Sequence, residues 1–393
     1  MRKTVALVLG DGSGPEMMKV ACRITETAAR IDQVYIDFEE TPMGWNAYEQ
    51  YGDTLPAKSL ERAVEIGTIF FGGVGDPKFD KTIGTERPEM KPEARVLLAL
   101  RSKMGLLLNF RPVIYYHSLA HLAKVRPETI PEGGIKQIWI RYLLEDSYFG
   151  NKDLLEQFPI ETRKNLGIML KESVTGEEDI VTDIAYFRRV TIEKYLRAAF
   201  SFAQDEGLPL ISIDKANVMP RYEFWRRIAT RIGKEEFPTV RLTHQYVDSA
   251  NALLFTPAQL HGVIACGNAH GDILSDGAIA ALGSMGMMCS SAINPDTGAA
   301  MFESGAGTAP RRAGKDTANP IGRVLTAAMM LRHIDAPRGA AIIEEAVKRT
   351  LEEGYRTMDI FTEGYDKEEM LCGTSKMGDK IFAHLRHILS YSD

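Results

Sequence analysis

The sequence predicts an α/β fold. Apolar runs of strand length alternate with helical patterns along the whole chain. The first run enters its helix through a glycine-rich turn, Leu9-Gly10-Asp11-Gly12-Ser13-Gly14-Pro15-Glu16. At 393 residues, 45% hydrophobic and 25% charged, the chain has enough globular material for two domains or lobes.

Thr4 to Leu9 reads as a buried strand, and Pro15 to Ile31 as a helix with proline in its first turn. Val34 to Phe38 is a strand, and Pro56 to Ile66 a helix that leads into the strand Thr68 to Phe71. That strand ends in Gly72-Gly73-Val74-Gly75, and a loop rich in charge, proline and glycine runs from Asp76 to Pro92. Further strands are expected at Gln137 to Arg141, Leu208 to Asp214, Thr239 to Val247 and Val263 to Cys266. Helices are expected at Val190 to Gln204, Arg221 to Ile232, Pro320 to His333, Ala340 to Glu353 and Lys376 to Leu385. Asn151 to Asp179 is polar with weak periodicity and reads as an arm or an insertion. No internal repeat is present.

A net charge of −6 argues against a general nucleic-acid binder, whose phosphate contacts need a basic surface. The four cysteines, Cys22, Cys266, Cys289 and Cys372, are scattered without CxxC spacing, as expected of free thiols in a reducing cytoplasm. Met1-Arg2-Lys3-Thr4 runs straight into a strand, and no apolar run approaches the ~18 residues of a membrane span. The expectation is a cytoplasmic protein with no signal peptide and no membrane contact.

The most informative stretch is Gly267 to Asp276, directly after the strand Val263 to Cys266. Asp272 and Asp276 stand four apart at the start of a helical pattern and therefore share a face. Such a pair offers hard oxygens to Mg²⁺ or Mn²⁺, or else serves as helix caps and dipole partners. Tyr246-Val247-Asp248 adds a third carboxylate at a strand end. Arg101 and Arg111 stand ten residues apart in apolar surroundings, and Arg141 ends the run Ile138-Trp139-Ile140. Three guanidinium groups in a net acidic chain suit a polycarboxylate clamp, although each alone reads equally as a salt bridge. Lys215 follows a buried strand, where open α/β sheets build sites, and a desolvated lysine there can act as a base. Tyr148, seven residues after Arg141, reads from its surroundings as a core residue. The Gly10 to Glu16 turn is neither a dinucleotide fingerprint nor a Walker loop. His117 and His121 lack the glutamate of an HExxH metal motif.

In order along the chain, these motifs resemble the isocitrate/3-isopropylmalate dehydrogenase family of β-decarboxylating dehydrogenases. The resemblance spans essentially the whole sequence, from the Gly10 turn through Leu97 to Arg101, Asn109 to Pro112, Tyr148 to Gly150 and Asp214 to Val218. It continues through Tyr246 to Asp248, Asn268 to Asp276 and Gly307 to Pro320. It implies oxidation and decarboxylation of a 3-carboxy-2-hydroxy acid of the malate type. Arg101, Arg111 and Arg141 would hold the substrate carboxylates, with Leu97 as an aliphatic contact. Asp248, Asp272 and Asp276 would bind Mg²⁺ or Mn²⁺, Lys215 would be the base and Tyr148 the acid. Gly307, Arg311, Arg312 and Asn319 would line the NAD or NADP site. The family's fold implies an open-sheet large domain from residues 1–106 with 265–393, and a smaller α/β domain from 107–264. It also implies a homodimer with shared sites, in which Lys215 and Asp248 come from the partner subunit and the stretch after Gly150 forms the dimer arm.

Several positions depart from the family pattern. Ala306 stands where members carry histidine, and Arg311-Arg312 replace the Asp-Ile of NAD users. Removing an acceptor and adding two cations favours NADP over NAD. Leu97 favours isopropylmalate, whereas Arg95, where isocitrate enzymes have serine, could meet a γ-carboxylate. Tyr142 replaces a glutamate and is expected beside the substrate loop. Isocitrate, homoisocitrate or another malate-type acid is the alternative substrate, and a non-catalytic regulatory paralogue is the alternative class.

Overall fold

The computed structural model describes residues 1–149 and 185–391, so the expected arm at Asn151 to Asp179 lies outside the described residues. The described strands are β1 (Arg2–Val8), β2 (Tyr35–Glu40), β3 (Thr68–Phe71), β4 (Leu108–Ile114), β5 (Lys136–Tyr142), β6 (Leu210–Asp214), β7 (Leu242–Tyr246), β8 (Gly262–Cys266), β9 (Ser291–Ile293) and β10 (Ala300–Glu303). They form one continuous sheet in the order β2-β1-β3-β10-β9-β4-β5-β8-β6-β7. The pairings are parallel except around β9 and β4, where β10–β9, β9–β4 and β4–β5 are antiparallel.

Strand β4 was not expected, because Pro112 lies inside it. Proline lacks the N–H that a central ladder requires. The chain meets this by pairing β9 only to Leu108, Asn109 and Phe110, while β5 follows β4 along its whole length. The Asp76 to Pro92 segment is not a plain loop. It folds into short helical turns at Pro77–Asp80, Ile83–Glu86 and Pro88–Met90, the first capped by the Asp76 side chain on the Lys78 N–H.

The helices Gly14–Ala29, Ile321–His333, Pro337–Glu352 and Thr374–Leu389 pack on one another and on the β1 side of the sheet. The helices Arg189–Asp205 and Pro220–Glu235 cover β5, β6 and β8, burying Tyr195, Phe200 and Trp225. The Asn268–Leu282 helix lies on the opposite face, over β4, β5 and β8. Among the described residues, no helix is long and apolar enough to cross a membrane.

Three loops at the carboxyl ends of β1, β3 and β10 lock together. The Ser13 N–H and hydroxyl both donate to the Thr308 carbonyl at 2.8 Å, and the Thr308 hydroxyl donates to the Gly75 carbonyl at 2.8 Å. The buried Asp11 carboxylate accepts the N–H groups of Trp45, Asn46 and Gly75. Gly10 has φ +80°, and a Cβ there would stand 2.0 Å from the Gly73 carbonyl oxygen. Gly10→Ala is therefore expected to lower stability by about 2–4 kcal/mol, read as a fall in the urea midpoint at unchanged m.

Candidate active site

Strand alternation aims Asn109, Arg111 and Arg141 at the Asn268–Leu282 helix, which follows directly from β8. Arg111 bridges both helical aspartates, at 2.9 Å to Asp272 and 2.9 Å to Asp276. Its Nη1 also donates to the Ser275 hydroxyl, and its Nε to Asn109 Oδ1. Arg141 pairs with Asp272 and is only 2% exposed. The Tyr148 hydroxyl donates to the other Asp272 oxygen at 2.9 Å, and the Arg141 guanidinium sits 5.2 Å from the Tyr148 ring centre. Arg101 is mostly buried, 3.7 Å from Glu303, and close enough to repel Arg141.

Asn268, fully buried, ties these parts together. Its Oδ1 accepts from Arg141 Nε at 2.8 Å and Nη2 at 2.6 Å. Its Nδ2 donates to the Leu143 and Glu145 carbonyls, in the segment that leads to Tyr148. One amide thus fixes the guanidinium, the tyrosine segment and the helix bearing Asp272.

Electrostatics separate the two aspartates. Burial acts to raise Asp272, but Arg141 and Arg111 outweigh it and hold the carboxyl below its ordinary range. Asp276 is raised by burial, with Arg111 opposing and Asp272 adding repulsion. Burial, helped by the Asp272 charge, raises the Tyr148 phenol and keeps its proton on at neutral pH. Burial and repulsion from Arg111 bring Arg141 down to about 9, against the pull of Asp272.

Lys215 and Asp248 form a second cluster, paired with each other at 2.5 Å. Lys215 leaves β6 beside Asp214, whose buried carboxylate accepts two bonds from Arg226 and one from the Ala216 N–H. No contact within the described chain joins this pair to Asp272 or Tyr148. Asp272 and Asp276 can converge on one cation, since both already converge on one guanidinium. No third metal-binding side chain joins them among the described residues of the chain.

Leu97 closes a π-helical turn, Glu93–Leu97, half-buried against the β1–β3 core. Arg95, expected to be free for a γ-carboxylate, instead donates to both Asp53 oxygens at 2.9 and 3.1 Å. Tyr142, expected beside the substrate loop, alternates to the other face of the sheet and packs edge-on against Tyr195 and Trp225. Of the residues expected to line the dinucleotide site, Gly307 is exposed with φ +66°. Arg311 is exposed without a described partner, and Arg312 donates to the Thr317 carbonyl at 2.7 Å. The Asn319 amide is occupied internally, donating to Asp359 and accepting from the Ile321 N–H. His121 is buried against Asp366 and stacked on Tyr365, which gives it a structural setting. Asn268 and Ser275 were missed as site residues, although both lie inside the motif that located the aspartates.

Comparison with known proteins shows the family. Residues 4–381 match the family described as isocitrate/isopropylmalate dehydrogenase. A 3-isopropylmalate dehydrogenase from Chromobacterium violaceum is 36% identical over 380 residues, covering 96% of this chain and 99% of its own. Another, from Moorella thermoacetica, is 36% identical and covers 96% and 97%. Among solved structures, the isocitrate dehydrogenase of Methylococcus capsulatus superposes with a TM-score of 0.78 at 26% identity, covering 98% and 99%. A β-decarboxylating dehydrogenase from Thermococcus kodakarensis gives 0.74 at 27% identity, covering 99% and 97%. A family match over nearly the whole sequence, on a fold shared end to end, places this chain in the isocitrate/isopropylmalate dehydrogenase family of decarboxylating dehydrogenases.

Proposed function

We propose that the chain oxidises and decarboxylates a malate-type 2-hydroxy acid resembling 3-isopropylmalate. The observation that carries the substrate reading is the Arg95–Asp53 pair. It takes the extra cation near Leu97 out of play, so the substrate's side group meets leucine rather than a free positive charge. Arg111 and Arg141, with Arg101 beside them, offer forked donors to the substrate carboxylates. Lys215 takes the hydroxyl proton, and Tyr148 returns a proton to carbon after CO₂ leaves. Asp272 and Asp276 would hold a divalent cation, which would supply Lewis acidity to the substrate oxygens, and a bound nicotinamide dinucleotide would supply the hydride acceptor.

Since Lys215 and Asp248 stand apart from Asp272, we infer a homodimer in which each site borrows that pair from the partner subunit. The Asn268–Leu282 helix carries Asp272 and Asp276 toward the site, yet it leaves the apolar Ile273 68% exposed between them. Phe255 and Val218 are likewise exposed. Large apolar side chains exposed beside a site fit an interface, which a second copy would provide. The division into 1–106 with 265–393 and 107–264 is supported by two cores, each built almost wholly from one unit, while a third joins the Asn268–Leu282 helix to strands of the middle unit. Free thiols throughout suit the cytoplasm.

Arg311, without a partner among the described residues, supports NADP over NAD. Arg311→Asp is expected to lower kcat/KM with NADP by about 10–100-fold and to leave NAD less affected. The function itself is tested by steady-state rates with isopropylmalate, isocitrate, homoisocitrate, malate and tartrate, each with Mn²⁺ and either nicotinamide. Isopropylmalate is expected to give the highest kcat/KM, and turnover of isocitrate alone would contradict the substrate reading. Absence of turnover with every acid would favour the non-catalytic alternative.

A further inference from the structure

Arg323 is the one arginine in the apolar helix Ile321–His333 that is fully buried. Among the described residues no carboxylate lies within ion-pair distance of it. Its hydrogen bonds all go to backbone carbonyls, from Nη1 to Ser304 at 2.8 Å and from Nη2 to Gly72 at 2.5 Å and Gly307 at 3.0 Å. Its Nε is buried without a partner. A buried charge without a counter-ion is costly and is ordinarily neutralised by something. Burial draws this guanidinium down to about 10, against the pull of Glu303 beyond ion-pair distance, and leaves it charged at neutral pH.

The three carbonyls belong to the loops that follow β3 and β10, at the carboxyl ends of parallel strands, where open sheets bind ligands. In a trans peptide the N–H points opposite to the C=O. Drawing these carbonyls onto Arg323 therefore turns the N–H groups of Gly73, Gly305 and Thr308 away from it. None of the three donates to a described protein acceptor. The loops also meet, since a Cβ on Gly73 would lie 3.6 Å from the Thr308 methyl. Gly307 beside them has open space where its side chain would be.

We propose that Arg323 is a positioning residue for a phosphate cradle. From beneath the two loops it aims their free N–H groups, and adds its charge, toward the pyrophosphate of the dinucleotide. The ligand class rests on the dinucleotide reading above. Unpaired backbone N–H groups gathered at one place can form an anion-binding concavity. The pyrophosphate is common to NAD and NADP, so Arg323 governs affinity for both, whereas Arg311 governs the choice between them.

The test is calorimetric binding of NADP⁺ and NAD⁺ to the full chain and to Arg323→Met and Arg323→Lys, with no substrate acid present. Arg323→Met is expected to weaken both dinucleotides by a similar factor, about tenfold or more. Unchanged affinity in a folded Arg323→Met, or loss confined to one dinucleotide, overturns the proposal. Arg323→Lys decides the matter even if the methionine variant fails to fold. Its buried amine sheds its proton as pH rises, so dinucleotide affinity should fall about tenfold between about pH 5 and 9 while the parent stays nearly flat. A lysine variant as flat as the parent overturns the proposal, because a merely structural role would not follow that titration. A parent chain that binds neither dinucleotide overturns the cofactor reading instead, an outcome told apart by needing no variant.

Discussion

Asp272→Asn is expected to remove nearly all turnover and to cost stability at the same time. Asp272 is the only carboxylate paired with Arg141 among the described residues, and it also holds Arg111 and the Tyr148 hydroxyl. Taking its charge away leaves a guanidinium 2% exposed without a counter-ion. Breaking a buried pair from one side costs about 3–5 kcal/mol, and the 29% exposure of the Asp272 side chain reduces that to about 2–3. The same change removes an anionic oxygen from the reacting centre, so kcat/KM should fall about 10³-fold. Asp276→Asn is the internal comparison. Its side chain is 47% exposed, and Arg111 would keep Asp272, so stability should move by no more than about 1 kcal/mol. Urea denaturation of the two variants separates these cases, and equal destabilisation would contradict the ordering.

Lys215→Ala is expected to act the other way, on chemistry and hardly on fold. The Lys215–Asp248 pair joins a partly exposed lysine to an aspartate whose side chain is 66% exposed, and surface pairs of this kind contribute little. Loss of a general base should lower kcat by about 10²–10⁴-fold. Affinity for the acid, read from its protection against thermal unfolding in the presence of Mn²⁺, should change far less. Lys215→Arg should not restore the rate, since guanidinium does not give up its proton near neutral pH. A kcat within about threefold of the parent would remove Lys215 from the proposed chemistry.

The elements most legible in the sequence are those with a clean period. The run Thr68 to Phe71 is a strand with the expected ends, and the long helices differ from expectation by a few residues at their termini. Strand β4 was hidden by Pro112, whose cost depends on where β9 stops pairing, a tertiary fact. Strands β9 and β10 are three and four residues long, too short to show alternation. In the site, residue types in order located Arg111, Arg141, Tyr148, Asp272 and Asp276, and the fold brings these five into direct contact. Partner choice was not legible. Arg95 finds Asp53 forty-two positions away, and only the fold decides that the two meet. Tyr142 could have been placed by alternation from Arg141, because adjacent strand residues face opposite sides. Arg323 also left a signal, a lone charge amid Ile321-Gly322 and Val324-Leu325, where an apolar period predicts a core position.

The central claim is one active centre assembled from two copies, with Asp272 and Tyr148 from one and Lys215 and Asp248 from the other. Co-expression of Asp272→Asn with Lys215→Ala, each inactive alone, tests it directly. In a mixed dimer one site carries both lesions and the other carries neither. Random pairing should therefore restore about a quarter of the parent's specific activity with the preferred acid, Mn²⁺ and nicotinamide. Co-expressed variants that form mixed dimers yet stay as inactive as either alone would contradict the shared centre.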